Sequence, residues 1–515
     1  MSQPLGSFPG GLKLAGQKKR STQTPIRKMP LSEQLILPLQ QHIGAAAVPI
    51  VKVGDKVLKG QRIATPNGHV SVALHAPSSG VVTAIEDKPI PHPSGLSAPC
   101  IIIDTDGEDQ WIERKVTEDF TQCTDHDVRQ IIRDAGIVGL GGAGFPSFIK
   151  LNPGIHHHVD TLILNGAECE PYITCDDMLL RERSQGILDG IEIMQHALRV
   201  NNCVIAIEDN KPEAISAMEL ALASRSHLTS TSVMVIPTRY PTGSEKQLIQ
   251  VVTGKQVPKS GLPIDIGIVL HNVGTAYAVG RAIKHGEPLI SRIVTVTGTD
   301  VKHAGNFETL FGTPIHELLS FCETKRQQGE PFIQGGPMMG YNLAGDNLPV
   351  TKTANCILVG VDNATQANDP LPCIRCGDCA AACPVSLLPQ QLYWHSRAKD
   401  LEKTQEYNLF DCIECGCCSY VCPSEIPLVQ YFRFAKTETM NQEQERKKSD
   451  AARIRHENRQ ERQERERVEK AEKQRKRKAA LAATKAAKAK KDAELAAAEA
   501  AKDSSEPATD NDAEK

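Results

Sequence analysis

Eight cysteines in two runs of identical spacing constrain this 515-residue chain more than any other feature. Cys373, Cys376, Cys379 and Cys383 form C-x2-C-x2-C-x3-C followed by Pro384. Cys412, Cys415, Cys418 and Cys422 repeat the spacing before Pro423. This is the pattern of a pair of [4Fe–4S] clusters, in which three close thiolates wrap one cube and the fourth reaches its neighbour. The pattern pairs Cys373, Cys376, Cys379 and Cys422 on one cluster, and Cys412, Cys415, Cys418 and Cys383 on the other. Structural zinc usually takes two separated knuckles instead. Cys417 sits out of step beside Cys418 and reads as a bystander or a local tuning residue. Such a chain moves single electrons.

The other seven cysteines, at 100, 123, 169, 175, 203, 322 and 356, show no regular spacing. The opening Met1–Leu5 has neither the basic nor the apolar region of a secretory signal, so a reducing cytoplasm is expected. No run of 18 apolar residues is present, so any membrane contact is expected to be peripheral. The net charge of −3 averages unlike parts. Residues 441–502 carry 20 Lys and Arg against 12 Asp and Glu, while the last 13 residues carry 5 acids and 1 Lys. A mildly acidic body therefore ends in a basic segment with an acidic tip.

Residues 1–30 read as an extended arm. From Val48, short alternating strands broken by Gly54-Asp55, Gly60 and Ser79-Gly80 predict a small β-barrel. It resembles the barrel-sandwich domains that carry biotin or lipoate. The intervening TPNGHVSVALH holds no tether lysine, so a docking or structural module is expected. Thr124 and Asp127 open a helix through Val128, Ile131 and Ile132. The string from Gly139 to Gly144 matches G-x-G-x-x-G, but a helix precedes it and Pro146 follows, so it is a poor dinucleotide fingerprint. Its backbone N–H groups can still cradle a phosphate or face a ring. Strands over 160–165, 203–207, 233–237 and 266–272 alternate with helical patterns, which argues for a mostly parallel sheet. The acidic turn Asn165–Pro171 follows the first of these, where ligand loops of such sheets lie.

GLGGAGFPSFIKL resembles the flavin-binding segment of the NADH-binding flavoprotein subunit of respiratory complex I. That resemblance places Gly139, Gly141, Gly142, Gly144 and Phe145 against FMN and NADH, and Lys150 at the flavin phosphate. The turn with Asn165, Glu168 and Glu170, the segment with Tyr240, Gly243 and Glu245, and the pair Asn272 and Thr275 match further motifs of that family. Leu140, Ala167, Ser244, His271 and Gly274 depart from it. The order of parts over roughly residues 5–437 resembles the C subunits (RnfC or RsxC) of ion-translocating Rnf-type electron transport complexes.

The resemblance implies a multidomain α/β and α+β fold. An arm (1–30) precedes a barrel-sandwich domain (31–120) and a complex-I-like FMN/NADH α/β domain (121–288). A β-grasp soluble-ligand-binding unit (289–350), a two-cluster ferredoxin-type domain (362–437) and a charged helical, then disordered, tail (438–515) follow. It implies a peripheral protein on the cytoplasmic face of the bacterial inner membrane. There it passes electrons between NADH and a ferredoxin-type iron–sulfur partner, while membrane subunits couple the flow to ion transport. NADH delivers two electrons together and each cluster takes one, so an FMN between them is the chemical requirement. No acid–base dyad or nucleophile is needed, and no catalytic side chain is assigned. Glu168 and Glu170 are candidates for hydrogen bonds to ribose or amide groups.

In the tail, Glu461–Arg465, Glu466–Lys470, Glu469–Lys473 and Glu472–Lys476 are i,i+4 pairs that favour a helix. Ile454, Val468, Leu481 and Leu495 are too sparse for a coiled-coil seam. A solvated single helix is expected; the alternative is a basic strut attracted to anionic lipid headgroups. The tail has no aromatics for stacking on bases, and no nucleic-acid partner is expected. Two other functions share parts of this layout: a cobalamin reductase of the microcompartment type, and a non-catalytic iron–sulfur adaptor. Flavin content separates the adaptor from the two enzymes.

Overall fold

The computed structural model describes residues 5–154, 157–259, 261–325, 331–343, 345–361 and 369–503, with side chains to residue 500. Residues Met1–Lys436 form one compact unit and Thr437–Lys515 a second. The arm contributes a short strand, β1 (Arg27–Lys28). The barrel sandwich follows as β2 (Gln34–Pro38), β3 (Val48–Pro49), β4 (Lys56–Val57), β5 (Arg62–Thr65), β6 (Leu74–His75), β7 (Gly80–Pro89) and β8 (Ser97–Thr105). Its two antiparallel sheets run β2-β8-β7-β4 and β3-β5-β6. Leu35, Leu37, Ile101 and Ile103 alternate inward along β2 and β8 and are fully buried.

The α/β part begins with α1 (Asp125–Asp134), which carries the expected capping box. Asp127 N donates to Thr124 Oγ1 at 3.2 Å, and Thr124 N donates to Asp127 Oδ2 at 3.1 Å. Then come α2 (Ser147–Lys150), β9 (Thr161–Gly166), α3 (Cys175–Glu182), α4 (Ser184–Leu198), β10 (Cys203–Glu208) and α5 (Pro212–Ala223). β11 (Thr231–Ile236), α6 (Glu245–Thr253), β12 (Ile268–Asn272) and α7 (Val273–His285) complete it. The sheet is parallel throughout, in the order β11-β10-β9-β12. The chain reverses its direction of travel across the sheet between β9 and β12. Ligand crevices of open α/β sheets open at the carboxyl ends of such strands.

The barrel and the α/β part share one continuous core. Leu37, Ile63 and Ile101 of the barrel join Val128, Ile132, Leu164 and Ile191 in it, so the expected boundary at 120/121 is a boundary of pattern and not of packing. Helices α4 and α7 approach through small residues. A Cβ on Gly190 would lie 1.8 Å from the Ala276 carbonyl oxygen. Gly190→Ala is therefore expected to destabilise the protein by about 1–3 kcal/mol through overpacking. A thermal melt checks this, and an unchanged midpoint would contradict the packing.

Next are β13 (Ser291–Thr297), β14 (Gly305–Leu310), α8 (Ile315–Phe321), β15 (Phe332–Gln334), β16 (Tyr341–Asn342) and β17 (Cys356–Val359). These strands form a six-stranded mixed sheet in the order β1-β14-β13-β17-β15-β16. The sheet reaches past the expected limit at 350 and takes its edge strand from the arm, because β1 pairs with β14. The cluster region holds α9 (Asp378–Ala381), α10 (Pro389–Ala398), α11 (Leu401–Glu406) and α12 (Cys417–Tyr420). Residues 362–368, at the start of the expected cluster domain, lie outside the described residues.

The last element is α13 (Leu428–Asp503). Within the second unit, from Thr437 to Asp503, the chain is a single helix. Glu461 and Arg465 pair at 4.0 Å, and Ile454, Val468, Leu481 and Leu495 are all more than half exposed. The tip beyond Asp503, expected to be disordered, lies outside the described residues.

Candidate functional site

The glycine string forms a loop closed at its neck. Gly139 N donates to Phe145 O at 2.8 Å, and Val138 bridges Pro146. Gly142 and Gly144 have φ of +130° and +66°, conformations an L side chain resists, so the glycines are required for this path. Helix α2 starts directly after Pro146 and carries Lys150 in its last turn. Leu140 anchors the loop by its backbone: its N–H donates to Thr275 Oγ1 at 3.0 Å, and its carbonyl accepts from Arg292 Nη2 at 3.1 Å.

Beneath this loop a cavity of about 600 Å³ opens at the carboxyl ends of β9 and β12. Gly139, Gly141, Gly142, Gly144, Phe145, Lys150, Asn165, Glu168, Glu170, Tyr240, Gly243, Glu245 and Asn272 all line it. Thr275, also expected there, does not. It is fully buried behind the loop, and its hydroxyl serves the Leu140 amide.

Several of the expected contact residues hold the protein's own backbone. Asn165 Nδ2 donates to Gly243 O at 2.8 Å and its Oδ1 accepts from Ala167 N at 3.1 Å. Asn272 caps α7 by accepting from Gly274 N at 2.8 Å, and its Nδ2 donates to Asp176 Oδ2 at 2.6 Å. Glu168 accepts from the Asp176 and Asp177 amides at the start of α3, at 2.7 and 3.3 Å. Burial pushes its carboxyl up to about 8, against the nearby Lys18 ammonium. Glu170 accepts from Met338 N and Met339 N at 2.7 and 3.1 Å, and burial raises it as well. The two carboxylates, read from sequence as facing ribose or amide groups, are thus already engaged in bracing the cavity walls. Lys150 pairs with Glu245 and donates to Leu270 O at 3.0 Å.

Other parts of the wall were not visible in sequence. The arm crosses the acidic turn, where Lys18 Nζ donates to the carbonyls of Glu168 and Glu170 at 2.9 and 3.1 Å. The hairpin between β15 and β16 supplies Gln334, Gly335, Gly336, Met339 and Gly340, and the cluster region supplies Ile413 and Cys415. The glycines of QGGPMMG were the available signal for a close backbone approach. Among the described residues, three polar atoms at the cavity are buried without a partner: Ser147 Oγ, His271 Nε2 and Gln334 Oε1.

Burial holds His271 near 3, with the Lys150 charge acting in the same direction. His75 in the barrel is also held near 3, again chiefly by burial. Between pH 6.5 and 3 the unfolded chain protonates these rings while the folded chain does not. Their contribution to stability is therefore present above 6.5 and is lost as pH falls towards 3. The paired variant His75→Gln/His271→Gln should show a smaller drop in urea midpoint from pH 7 to 5 than the unaltered protein. Equal drops would refute it.

The two cysteine runs fold alike. Gly377 and Gly416, with φ of +92° and +81°, precede α9 and α12, and Arg375 and Glu414 take positive φ at matching places. Cys373, Cys376, Cys379 and Cys422 line one small cavity; Cys383, Cys412, Cys415 and Cys418 line another. These are the two groups that the spacing pairs. Cys376 is exposed, flanked by exposed Leu371 and Ile374, whereas Cys383, Cys415 and Cys418 are buried. Cys415 also lines the large cavity, and its carbonyl accepts from the Tyr240 hydroxyl at 2.5 Å. Cys417 is fully buried. It lines the inner thiol cavity beside Cys415 and Cys418.

Comparison with known proteins agrees with these parts. Residues 6–108 match the RnfC barrel sandwich hybrid domain, a match that takes in most of the arm. Residues 132–281 match the Nuo51 FMN-binding domain, and residues 372–426 match the 4Fe-4S dicluster domain. The chain is 50% identical over 459 residues to the C subunit of the ion-translocating oxidoreductase complex of Pseudomonas aeruginosa, covering 88% of this chain and 58% of that one. The Vibrio cholerae protein of the same description is 47% identical over 412 residues, covering 80% and 53%. That of Haemophilus influenzae is 45% identical over 465 residues, covering 89% and 69%. The chain thus spans somewhat over half the length of the first two relatives. With 69% of the third covered at 45% identity, this chain belongs to the family of C subunits of the ion-translocating oxidoreductase complex.

Proposed function

We propose that this chain is the electron-input member of an Rnf-type ion-translocating oxidoreductase, passing electrons between NADH and a ferredoxin-type iron–sulfur partner. The observation that carries the reading is Cys415. Together with Ile413, it lines both the cavity under the glycine loop and the inner thiol group, so the two redox sites share a wall. A cavity of about 600 Å³ falls in the size range of cofactor sites. Its three orphaned polar atoms and its open glycine loop fit a polar, ring-bearing cofactor, and FMN is the assignment. Bound there, FMN would supply the step-down from two-electron to one-electron chemistry.

The residues divide the work. The glycine loop gives a ring close access to backbone, and Lys150 offsets phosphate charge. The Asn165, Asn272, Glu168 and Glu170 network keeps the walls in place. Cys383, Cys412, Cys415 and Cys418 would hold the inner [4Fe–4S] cluster beside the cavity. Cys373, Cys376, Cys379 and Cys422 would hold the outer one, with the exposed Cys376 on the side offered to the redox partner. The six-stranded mixed sheet with α8 is assigned to the β-grasp ligand-binding type. Among the described residues no helix is long and apolar enough to cross a membrane, which supports a peripheral place. That place is the cytoplasmic face of the inner membrane, with the basic helix as a contact for anionic headgroups.

Anaerobic stopped-flow tests the reading. The purified protein is mixed with NADH and followed in the flavin and iron–sulfur bands. Rapid flavin bleaching followed by cluster reduction is the expected result. Clusters that respond to dithionite while nothing responds to NADH would overturn it and leave the adaptor reading.

A further inference from the structure

Gln334 ends β15 at the cavity wall and is 5% exposed. Its Nε2 donates to the Tyr341 hydroxyl at 2.9 Å, and that hydroxyl donates to the Pro91 carbonyl at 2.6 Å. A phenol has one proton. With it given to Pro91, Tyr341 offers Gln334 only a lone pair. The amide orientation follows: the NH2 faces Tyr341, and the carbonyl oxygen is left over. That oxygen is buried and has no partner among the described residues, an arrangement folded proteins avoid unless a ligand or water completes it.

The hairpin that carries Gln334 is held in place. Glu170 accepts from the amides of Met338 and Met339, and a Cβ on Gly336 would lie 2.1 Å from Glu170 Cγ. Gly340 N closes the turn on Gly336 O at 2.9 Å. Tyr341 ties the returning strand to the barrel through Pro91. The acceptor is therefore fixed in position and in polarity.

We propose that Gln334 is a specificity-determining residue of this cavity, whose Oε1 accepts a hydrogen bond from the amide or imide N–H of a heteroaromatic ring bound there. Tyr341 is its positioning residue. An N–H donates and never accepts, so it matches an acceptor that cannot turn around. Two rings offer this chemistry: the imide of an oxidised flavin and the carboxamide of a nicotinamide. The inference rests on the flavin and nicotinamide reading of the site.

The test uses pairs of probes that differ only in that N–H. Deflavinated full-length protein is titrated with FMN and with N3-methyl-FMN. The protein is then titrated with NADH and with its 3-acetylpyridine analogue. The unaltered protein should prefer the N–H-bearing member of one pair by roughly tenfold or more. Gln334→Leu should erase that preference, and Tyr341→Phe should shrink it. The pair that responds identifies the ring. Because the readout is a ratio within one variant, a general loss of stability does not mimic it. Preferences in Gln334→Leu equal to those of the unaltered protein, or no preference in either pair, would overturn the assignment. Failure of the unaltered protein to bind FMN at all would instead strike the proposed function, and the nucleotide pair would still test Gln334.

Discussion

Cys415→Ala is expected to halve the iron content, from about eight to about four per chain, and to abolish NADH-driven reduction of the remaining cluster. The reason lies in position. Cys415 is the thiol that lines both the large cavity and the inner group of Cys383, Cys412 and Cys418. Cys376→Ala should lose the same amount of iron from the exposed outer group but leave reduction of the inner cluster by NADH intact. Iron assays with anaerobic mixing separate the two variants. If both, or neither, lost reduction of the surviving cluster, the order from cavity to inner to outer cluster would be wrong.

Lys150→Met should weaken FMN binding by about 10- to 100-fold, the range for losing a hydrogen bond to a charged group. Lys150 is the ammonium group lining the cavity, and it sits against Glu245. Its removal takes away the cation and leaves the Glu245 carboxylate unpaired there, where it would repel a bound phosphate. Adding Glu245→Gln to that variant should recover part of the loss. Riboflavin, which has no phosphate, should bind the unaltered protein and Lys150→Met alike. Fluorescence titration of deflavinated protein measures all of these. A Lys150→Met variant that weakens riboflavin and FMN equally would show that the lysine acts on the cavity's shape and not on the phosphate.

The two predictions draw on different kinds of information. The thiol pairing behind the first was readable from spacing, because three thiols of each group come from one short loop and the repeated pattern supplies the fourth. The Lys150 role came from resemblance, and the structure adds Glu245 as its neighbour. Of the other expected contact residues, Asn165, Asn272, Glu168, Glu170 and Thr275 turned out to make bonds that hold the loops together. Sequence could not show this, since a side chain that braces a wall and one that faces a ligand have the same identity. The orphaned atoms of Ser147, His271 and Gln334 became visible only once their neighbours were in place.

By itself, the sequence determined the chemistry and the local elements. Two cysteine runs imply two clusters, the alternation of strands and helices implies a parallel sheet, and Thr124 with Asp127 marks the start of α1. These depend on residues close in the chain. Tertiary structure decided what depends on distant segments. It joined the barrel and the α/β part in one core, gave Arg27 and Lys28 to a sheet more than 250 residues away, and laid Lys18 across the acidic turn. It also brought the β15–β16 hairpin and Cys415 to the same cavity. Such contacts are fixed by side-chain volume, by the reach of hydrogen bonds and by the burial of polar groups. How they combine is decided only when distant segments meet in the folded chain.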